Sequence, residues 1–587
     1  MPYANQGGNT KIGGTALRRP IRSIRSSRAF FFITYLLREG VIRMRISKKI
    51  LGAGVVLFSA ITLAACGNNS SSSSANKKQV LNWSETTQLS TQDPSLATDT
   101  TSFQALLNTG DGLYRLDKNN KPKLSLATKA KVSDGGKTYD FTLRKDAKWS
   151  NGDPLTAKDF VYSYRRTVTP ATKSQMAFYL YQIKNAQAIN NGKKQPSSLG
   201  VTAVSDHHLR IQLTRPLGYF TRLLAWPLFF PQNQKVVQEY GKNYGTQAKY
   251  TVSSGPFVLK KWNGNNKVWT LVKNKNYWDA KNVKLSRVNE QVSESTTTSY
   301  NLFQAGKADE TLLSGEQVAS NKNKAGYHAR LASRINRLEL NQNKVKAFKN
   351  LKIRQAFSYA INRNQLANNV LKNGSVPAKG FVPSGMGNNP KTGTPFEDDA
   401  YVKSAVSYNL SKAKSLLRQG YKEAGINSLK VTLLVSDDDI AKQSVEFLQS
   451  QLDRLPNVDV SVQSIPYTQL ISRQTAGNYQ ATIKGWQAVI GDPINFLDVF
   501  EKGSSYLNNG WNNNEYNKLL DESENVYGNQ PVKRWAKLVA AEKVLMKDQG
   551  TIPLVQVASP QLLKTSVKNV SFNPTGVPYD FKNVYIG

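Results

Sequence analysis

The residues able to do chemistry are few and poorly placed for catalysis. Three histidines (His207, His208, His328) and one cysteine (Cys66) occur in 587 residues. The chain has no His-Glu-x-x-His, no Gly-x-Ser-x-Gly and no glycine-rich phosphate loop ending in Lys-Ser or Lys-Thr. The usual signatures of zinc peptidases, serine hydrolases and nucleotide-using enzymes are therefore missing. His207 and His208 are adjacent, ahead of an alternating stretch, so their rings point to opposite faces and make a poor metal pair. These residues predict a protein that is not an enzyme and needs no cofactor or metal. Cys66 has no partner for an intrachain disulfide, and it is the one reactive group whose surroundings form a pattern.

Met44 to Cys66 reads MRISKKILGAGVVLFSAITLAAC: Arg45, Lys48 and Lys49 precede an apolar run from Ile50 to Leu63, which ends in Leu63-Ala64-Ala65-Cys66-Gly67. This is the order of a secretory signal with a small-residue cleavage site. The run falls short of the roughly 20 apolar residues that a membrane-spanning helix needs. Its ending resembles the lipobox of bacterial lipoproteins, which implies a lipidated Cys66 and a mature chain from Cys66 to Gly587. Residues 1–43 are cation-rich and lack any periodic apolar pattern. They read as an upstream extension, untranslated or trimmed, with 44–65 as the signal peptide.

Without residues 1–65 the chain keeps 68 Lys and Arg against 39 Asp and Glu, a formal +29 over 522 residues. A chain of that length buries a large core and divides into two or more domains. The cations are spread along it rather than clustered, which fits a solvated surface and argues against nucleic acid as a partner. Residues 66–79 include GNNSSSSSANKKQ (Gly67–Gln79), a flexible tether with a reach of roughly 20 Å.

Beyond the tether, strands and helices alternate. Tyr139, Phe141 and Leu143 recur at period two, as do Leu209, Ile211 and Leu213, and Asp134-Gly135 and Asn151-Gly152 mark turns. Thr156 to Asp159 reads as a helix start, with Phe160, Val161 and Tyr164 as its inward stripe. A second helix is expected over 351–371, ending before Gly374. Between 429 and 500 the pattern predicts a βαβ unit. Its parts are a strand Leu429–Val435, a helix Ile440–Leu455 striped by Ile440, Val445, Leu448 and Leu452, and a strand through Val458, Val460 and Val462. A helix near 468–476 and a strand Tyr479–Gly485 extend it. Ligands of such sheets sit at the carboxyl ends of the strands, which draws attention to Gly485–Ile490. Asp492-Pro493 then reads as the N-cap and first-turn proline of a helix Ile494–Phe500.

Five stretches carry a family resemblance: DGGKTYDFTLRKDAKWSNGDPLTAKDFVYSYRR (Asp134–Arg166), SSGPFVLKKW (Ser253–Trp262), NLKIRQAFSYAINR (Asn350–Arg363), GWQAVIGDPINFL (Gly485–Leu497) and NNNEYNKLLDES (Asn512–Ser523). In this order they resemble the family-5 extracellular solute-binding proteins, the oligopeptide-binding lipoproteins of ABC peptide importers. The resemblance spans residues 80–587. It implies an α/β fold, a two-lobed periplasmic-binding-protein-like clamp of type II with an extra inserted subdomain. On that basis lobe I is expected at 80–111, 227–335 and 550–587, the insertion at 112–226 and lobe II at 336–549.

The resemblance also implies an extended peptide held between the lobes by strand addition. Its contact positions fall on Glu85 and Thr87 in a first-lobe strand Leu81–Thr87, and on Gly485, Trp486 and Gln487 in the second lobe. Tyr114, Trp486 and Trp511 are candidate cleft aromatics, with core packing as the competing reading. The family commonly places an aspartate for the peptide amine at the position of Val489, so that carboxylate is absent here. Asp492 survives nearby with a capping role available to it, and Glu85 is either an alternative amine partner or a surface acid. The implied partners are oligopeptides, the permease and ATPase subunits of the transporter, and a membrane reached through the lipid anchor. The expected state is a monomer on the outer face of the cytoplasmic membrane of a Gram-positive bacterium. A peptide-pheromone sensor or a surface adhesin on the same fold is the alternative.

Overall fold

The computed structural model describes residues 78–504 and 506–587; the signal, Cys66 and most of the tether lie outside the described residues. The first strand, Val80–Glu85, buries Leu81 and Trp83 by alternation and pairs in parallel with Arg287–Val292. Antiparallel strands Val268–Lys273 and Phe257–Lys260 complete this four-stranded sheet. Its core takes in the C-terminal segment, where Tyr579 and Phe581 meet Trp83 edge-on with ring centroids 4.7 and 5.0 Å away.

A second four-stranded sheet is antiparallel throughout, in the order Ala127–Ser133, Thr138–Leu143, His208–Gln212, Val201–Ser205. Tyr139, Phe141 and Leu143 are buried as their spacing predicts. The helix Ala157–Val168 opens on a reciprocal cap, in which the Thr156 side chain and the Asp159 carboxylate each satisfy a backbone N–H of the other's end. Its buried face carries Phe160, Val161 and Tyr164.

The largest sheet is mixed. Its order is Glu310–Leu312, Ile552–Leu563, Tyr327–Leu340, Ala481–Gln487, Leu429–Ser436, Val458–Ile465. Two long strands, Tyr327–Leu340 and Ile552–Leu563, run antiparallel through its middle. Their pairing holds from Tyr327↔Leu562 to Leu331↔Ala558, lapses, and resumes at Ile335↔Gln556. In the gap the backbone bonds elsewhere: Ser333 N–H donates to Pro574 O (2.9 Å) and Ser333 O accepts from Ala488 N–H (3.0 Å). The βαβ unit is present, with Leu429–Ser436 and Val458–Ile465 parallel in full register and the helix Asp439–Leu452 between them.

Several expectations need correction. The helix expected over 351–371 stops at Ala360, because Ile361 turns extended and Asn362 caps a new turn at Arg363. That break lets the buried Arg363 guanidinium donate to Pro553 O (2.6 Å) and Val406 O (2.9 Å). Ile440 drops out of its stripe: it is 54% exposed in the first helical turn, while Val445, Leu448 and Leu452 fill the core. Val462 lies on the exposed side as well. The strand expected at Tyr479–Gly485 runs Ala481–Gln487, so Trp486 and Gln487 still belong to it. The helix after Pro493 is a single α turn, Ile494–Leu497, followed by a tighter turn Asp498–Phe500. The first strand ends at Glu85, leaving Thr87 beyond it.

Candidate functional site

Ala481–Gln487 pairs along its whole length with Arg334–Leu340 on one side. On the other side it meets Leu429–Ser436 only at Ala481 and Thr482. Gln474 Nε2 donates to Ile483 O (3.0 Å), and no described strand pairs with Gly485 to Gln487 on the side away from Arg334–Leu340. These last residues therefore present backbone N–H and C=O groups along an open edge, the arrangement that accepts an added strand. Gly485 leaves room there for the Arg334 and Asn336 side chains, which a Cβ would approach to 3.0 Å and 3.1 Å.

Asn495 organises the turn that follows. Its carbonyl accepts from Trp486 Nε1 (2.6 Å) and its Oδ1 from Val489 N–H (2.8 Å). Trp486 is half-buried against Tyr506, with ring centroids 4.7 Å apart. Val489 points no acceptor at the space around it. Asp492 takes the Ile494 N–H at 3.1 Å, but the cap position of that turn falls on Pro493, one residue later than expected. It also holds Arg534 with both oxygens (2.8 and 2.9 Å), and Arg534 reaches Glu524 as well. Neither Asn495 nor Arg534 was singled out from the sequence. The Asn495 signal lay in the Gly485–Leu497 motif itself, whereas Arg534 lies too far along the chain for any local pattern to show it. A further bond, Arg215 to Glu524 (2.8 Å), joins the 127–213 sheet region to this network.

Glu85 lies in a different setting, with no hydrogen bond or ion pair joining it or Thr87 to residues 485–492 among the described residues. Its Oε1 is buried without a hydrogen-bond partner. Burial first, then the nearby Glu290, Glu310 and Asp99, push its carboxyl well above the ordinary range. Glu290 accepts from Trp269 Nε1, and Glu310 accepts from Gln561 Nε2 (2.9 Å). Burial pushes both of these up to about 8. Thr87 shares a hydroxyl hydrogen bond with Thr101 (2.7 Å). Tyr114 is buried against Phe141 in the core of the 127–213 region, and Trp511 is buried with its Nε1 on Asp548 (2.7 Å). The two adjacent histidines diverge: His208 Nε2 contacts Asp140 (2.8 Å), while His207 Nδ1 has no partner. No group of three His, Cys, Asp or Glu able to hold a metal occurs among the described residues.

The profile of the bacterial extracellular solute-binding proteins, family 5 Middle, matches residues 121–508. The dipeptide-binding protein of Lactococcus lactis subsp. cremoris (strain MG1363) is 34% identical over 556 residues, covering 92% of this chain and 99% of that protein. A solved structure titled Listeria monocytogenes OppA bound to peptide aligns with a TM-score of 0.70 and 36% identity, covering 87% of this chain and 99% of that one. The structure titled by the mode of peptide binding of the pheromone receptor PrgZ aligns with a TM-score of 0.70 and 37% identity, over 87% of this chain and 100% of that one.

Proposed function

The chain belongs to the bacterial extracellular solute-binding proteins of family 5, and from that membership we propose that it captures oligopeptides outside the cell and delivers them to an ABC import system. The observation that carries this reading is the open backbone edge at Gly485–Gln487, beside the lapse in pairing of the two long strands. An extended peptide adding as a strand there gains main-chain hydrogen bonds that do not depend on its side chains. The proposed contacts are Gly485, Trp486, Gln487 and Val489 in the second lobe, with Glu85 and Thr87 at the end of the first strand. Tyr114 is left out because it is buried in a core, and Asp492 because Arg534 occupies its carboxylate.

The lobes are expected at 80–111 plus 227–335 plus 550–587 and at 336–549; the reading sets the hinge at that lapse, where residues 332–334 face residue 557 without pairing, so residues 552–555, which pack with Leu338 and Leu340, go with the second lobe. It makes the protein a monomer tethered by a lipidated Cys66 to the outer face of a Gram-positive membrane. Ligand bound only to the closed folded state stabilises it; at a hundredfold excess over Kd the gain is about 2.7 kcal/mol. A pool of short peptides should therefore raise Tm and reduce the radius of gyration in solution scattering. Both staying unchanged across the pool would sink the reading.

A second reading, a sensor for one peptide, draws support from the likeness to PrgZ. It predicts that a single sequence in the pool carries all of the stabilisation.

A further inference from the structure

Cations that are spread along the sequence are gathered by the fold at one end of the sheet that begins with Val80–Glu85. Val80 lies beside Arg287, the start of its parallel neighbour, and Arg287 lies opposite Val272, near the end of the antiparallel strand Val268–Lys273. The connection from Lys273 to Arg287 therefore sits wholly at this end, and residues 273–287 hold five cations against one acid. The last residues join it: Gln79 Nε2 donates to Ile586 O (2.9 Å), Gln79 Oε1 accepts from Ile586 N–H (3.0 Å), and Tyr585–Ile586 pairs with Val567–Lys568.

Lys78, Lys275, Lys281, Lys284 and Lys568 are all exposed here, and among the described residues none of the five is in an ion pair. The side-chain carboxylates of this end are committed elsewhere. Asp279 is buried on Lys582 (2.7 Å), and Asp580 is buried on Arg115 through both oxygens (2.6 and 2.8 Å). Asn276 reaches Ser150 O (3.1 Å), where Lys145 and Lys148 balance Asp146 and Asp153. An α-carboxylate at Gly587, beside Lys568, still leaves cations in excess. Like charges held together repel, and an anionic surface removes that cost. Two features say which surface. The tether leaves from this end, and the stretch from Cys66 to Lys78 has a reach of roughly 20 Å, so a lipid on Cys66 keeps these lysines near the bilayer. Tyr585, 37% exposed opposite Lys568, is an aromatic with a polar tip, the type that settles at headgroup level.

We propose that this end of the sheet is a second membrane contact, with anionic phospholipid headgroups against Lys78, Lys275, Lys281, Lys284 and Lys568. The proposal goes beyond peptide capture, and it takes from the anchoring of Cys66 only the membrane that is met. A polybasic surface reinforces a lipid anchor. Unlike a flexible tether, it also fixes which way the body faces, with the opposite end of the sheet, where Glu85 stands, turned outward.

Cosedimentation with vesicles tests this, using residues 66–587 with Cys66→Ala so that no acyl chain contributes. Phosphatidylcholine vesicles with about 30% phosphatidylglycerol should bind the protein at about 50 mM NaCl and release it at about 500 mM, and pure phosphatidylcholine should not bind it. A lysine at an anionic surface is worth about fivefold in partitioning. Lys275→Gln, Lys281→Gln, Lys284→Gln and Lys568→Gln combined should therefore weaken binding at least about tenfold while Tm stays at the wild-type value. A control of equal charge, Lys129→Gln, Lys131→Gln, Lys260→Gln and Lys261→Gln combined, alters exposed lysines elsewhere and should weaken it by less than about threefold, since charges beyond a Debye length are screened. Hydrogen exchange on the unsubstituted face gives the same answer without these variants: vesicles should slow exchange in residues 274–286 and not in 260–267. Equal losses in the two combined variants would reduce the binding to net charge and overturn the proposal, as would equal binding to the two vesicle compositions. If soluble polyphosphate binds and the vesicles do not, the partner is an anionic polymer and the proposal is wrong. Either failure leaves acylation of Cys66 and peptide capture standing, because mass spectrometry and peptide titration test those separately.

Discussion

Val489 sets an isopropyl group where the family resemblance implies an aspartate, and the carboxylate that shares its cavity, Asp580, is held by Arg115 with both oxygens (2.6 and 2.8 Å). A buried ammonium there would lose hydration without compensation. We therefore expect N-acetylation of a good peptide ligand to change affinity by less than about tenfold, or 1.4 kcal/mol, and Val489→Asp to introduce a preference for the free amine; paired calorimetric titrations check both. Asp492 makes the opposite case, a carboxylate that survives but is already engaged. Asp492→Asn leaves Arg534 buried with half its compensation, so a loss of about 3 kcal/mol in urea unfolding is expected, without any selective effect on free-amine peptides. A selective loss of free-amine binding would return Asp492 to the ligand site. The turn that follows Asp492 could be read from its neighbour Pro493, to within one residue. The ion pair could not, since its partner lies 42 residues away.

Three strands and the loop between them gather Glu85, Glu290 and Glu310 under Trp269 and Gln561. Glu290 and Glu310, at about 8 in the fold, stand above an unfolded value near 4.3, so the native state binds more protons between those limits. Stability consequently falls as pH rises from about 4.5 to 8. Glu290→Gln and Glu310→Gln should each raise Tm at pH 8.5 and leave it nearly unchanged at pH 5. A rise of the same size at both pH values would mean that these carboxyls do not titrate as described. Strands of this kind were partly legible. The βαβ unit declared itself because its valines and leucines alternate cleanly or run continuously within one core. Tyr327–Leu340 did not, because half of it serves one core and half another, so no single period runs through YHARLASRINRLEL. The helix break at Ile361 was hidden for a related reason: the burial of Arg363 that demands it depends on carbonyls from distant segments.

At the scale of the whole chain, the family and the two-lobed plan were readable from long ordered motifs, whereas the meeting of the first strand with the last residues was not. The signal and lipobox pattern predicts an acylated N-terminal Cys66, and mass spectrometry of protein from its native membrane decides it. An N-terminus at Met44, or an unmodified Cys66, rejects the anchor. The core that joins Leu81 and Trp83 to Tyr579, Phe581 and Val584 also orders events in time. A polypeptide appears N-terminus first, and its domains tend to fold as units when complete. The core running from Leu338 to Val555 has all its parts before the chain ends, while the strand made first must wait, with Trp83 uncovered, until the final residues arrive. Apolar surface left open for that interval is where a folding chain is most exposed to aggregation and most in need of a chaperone.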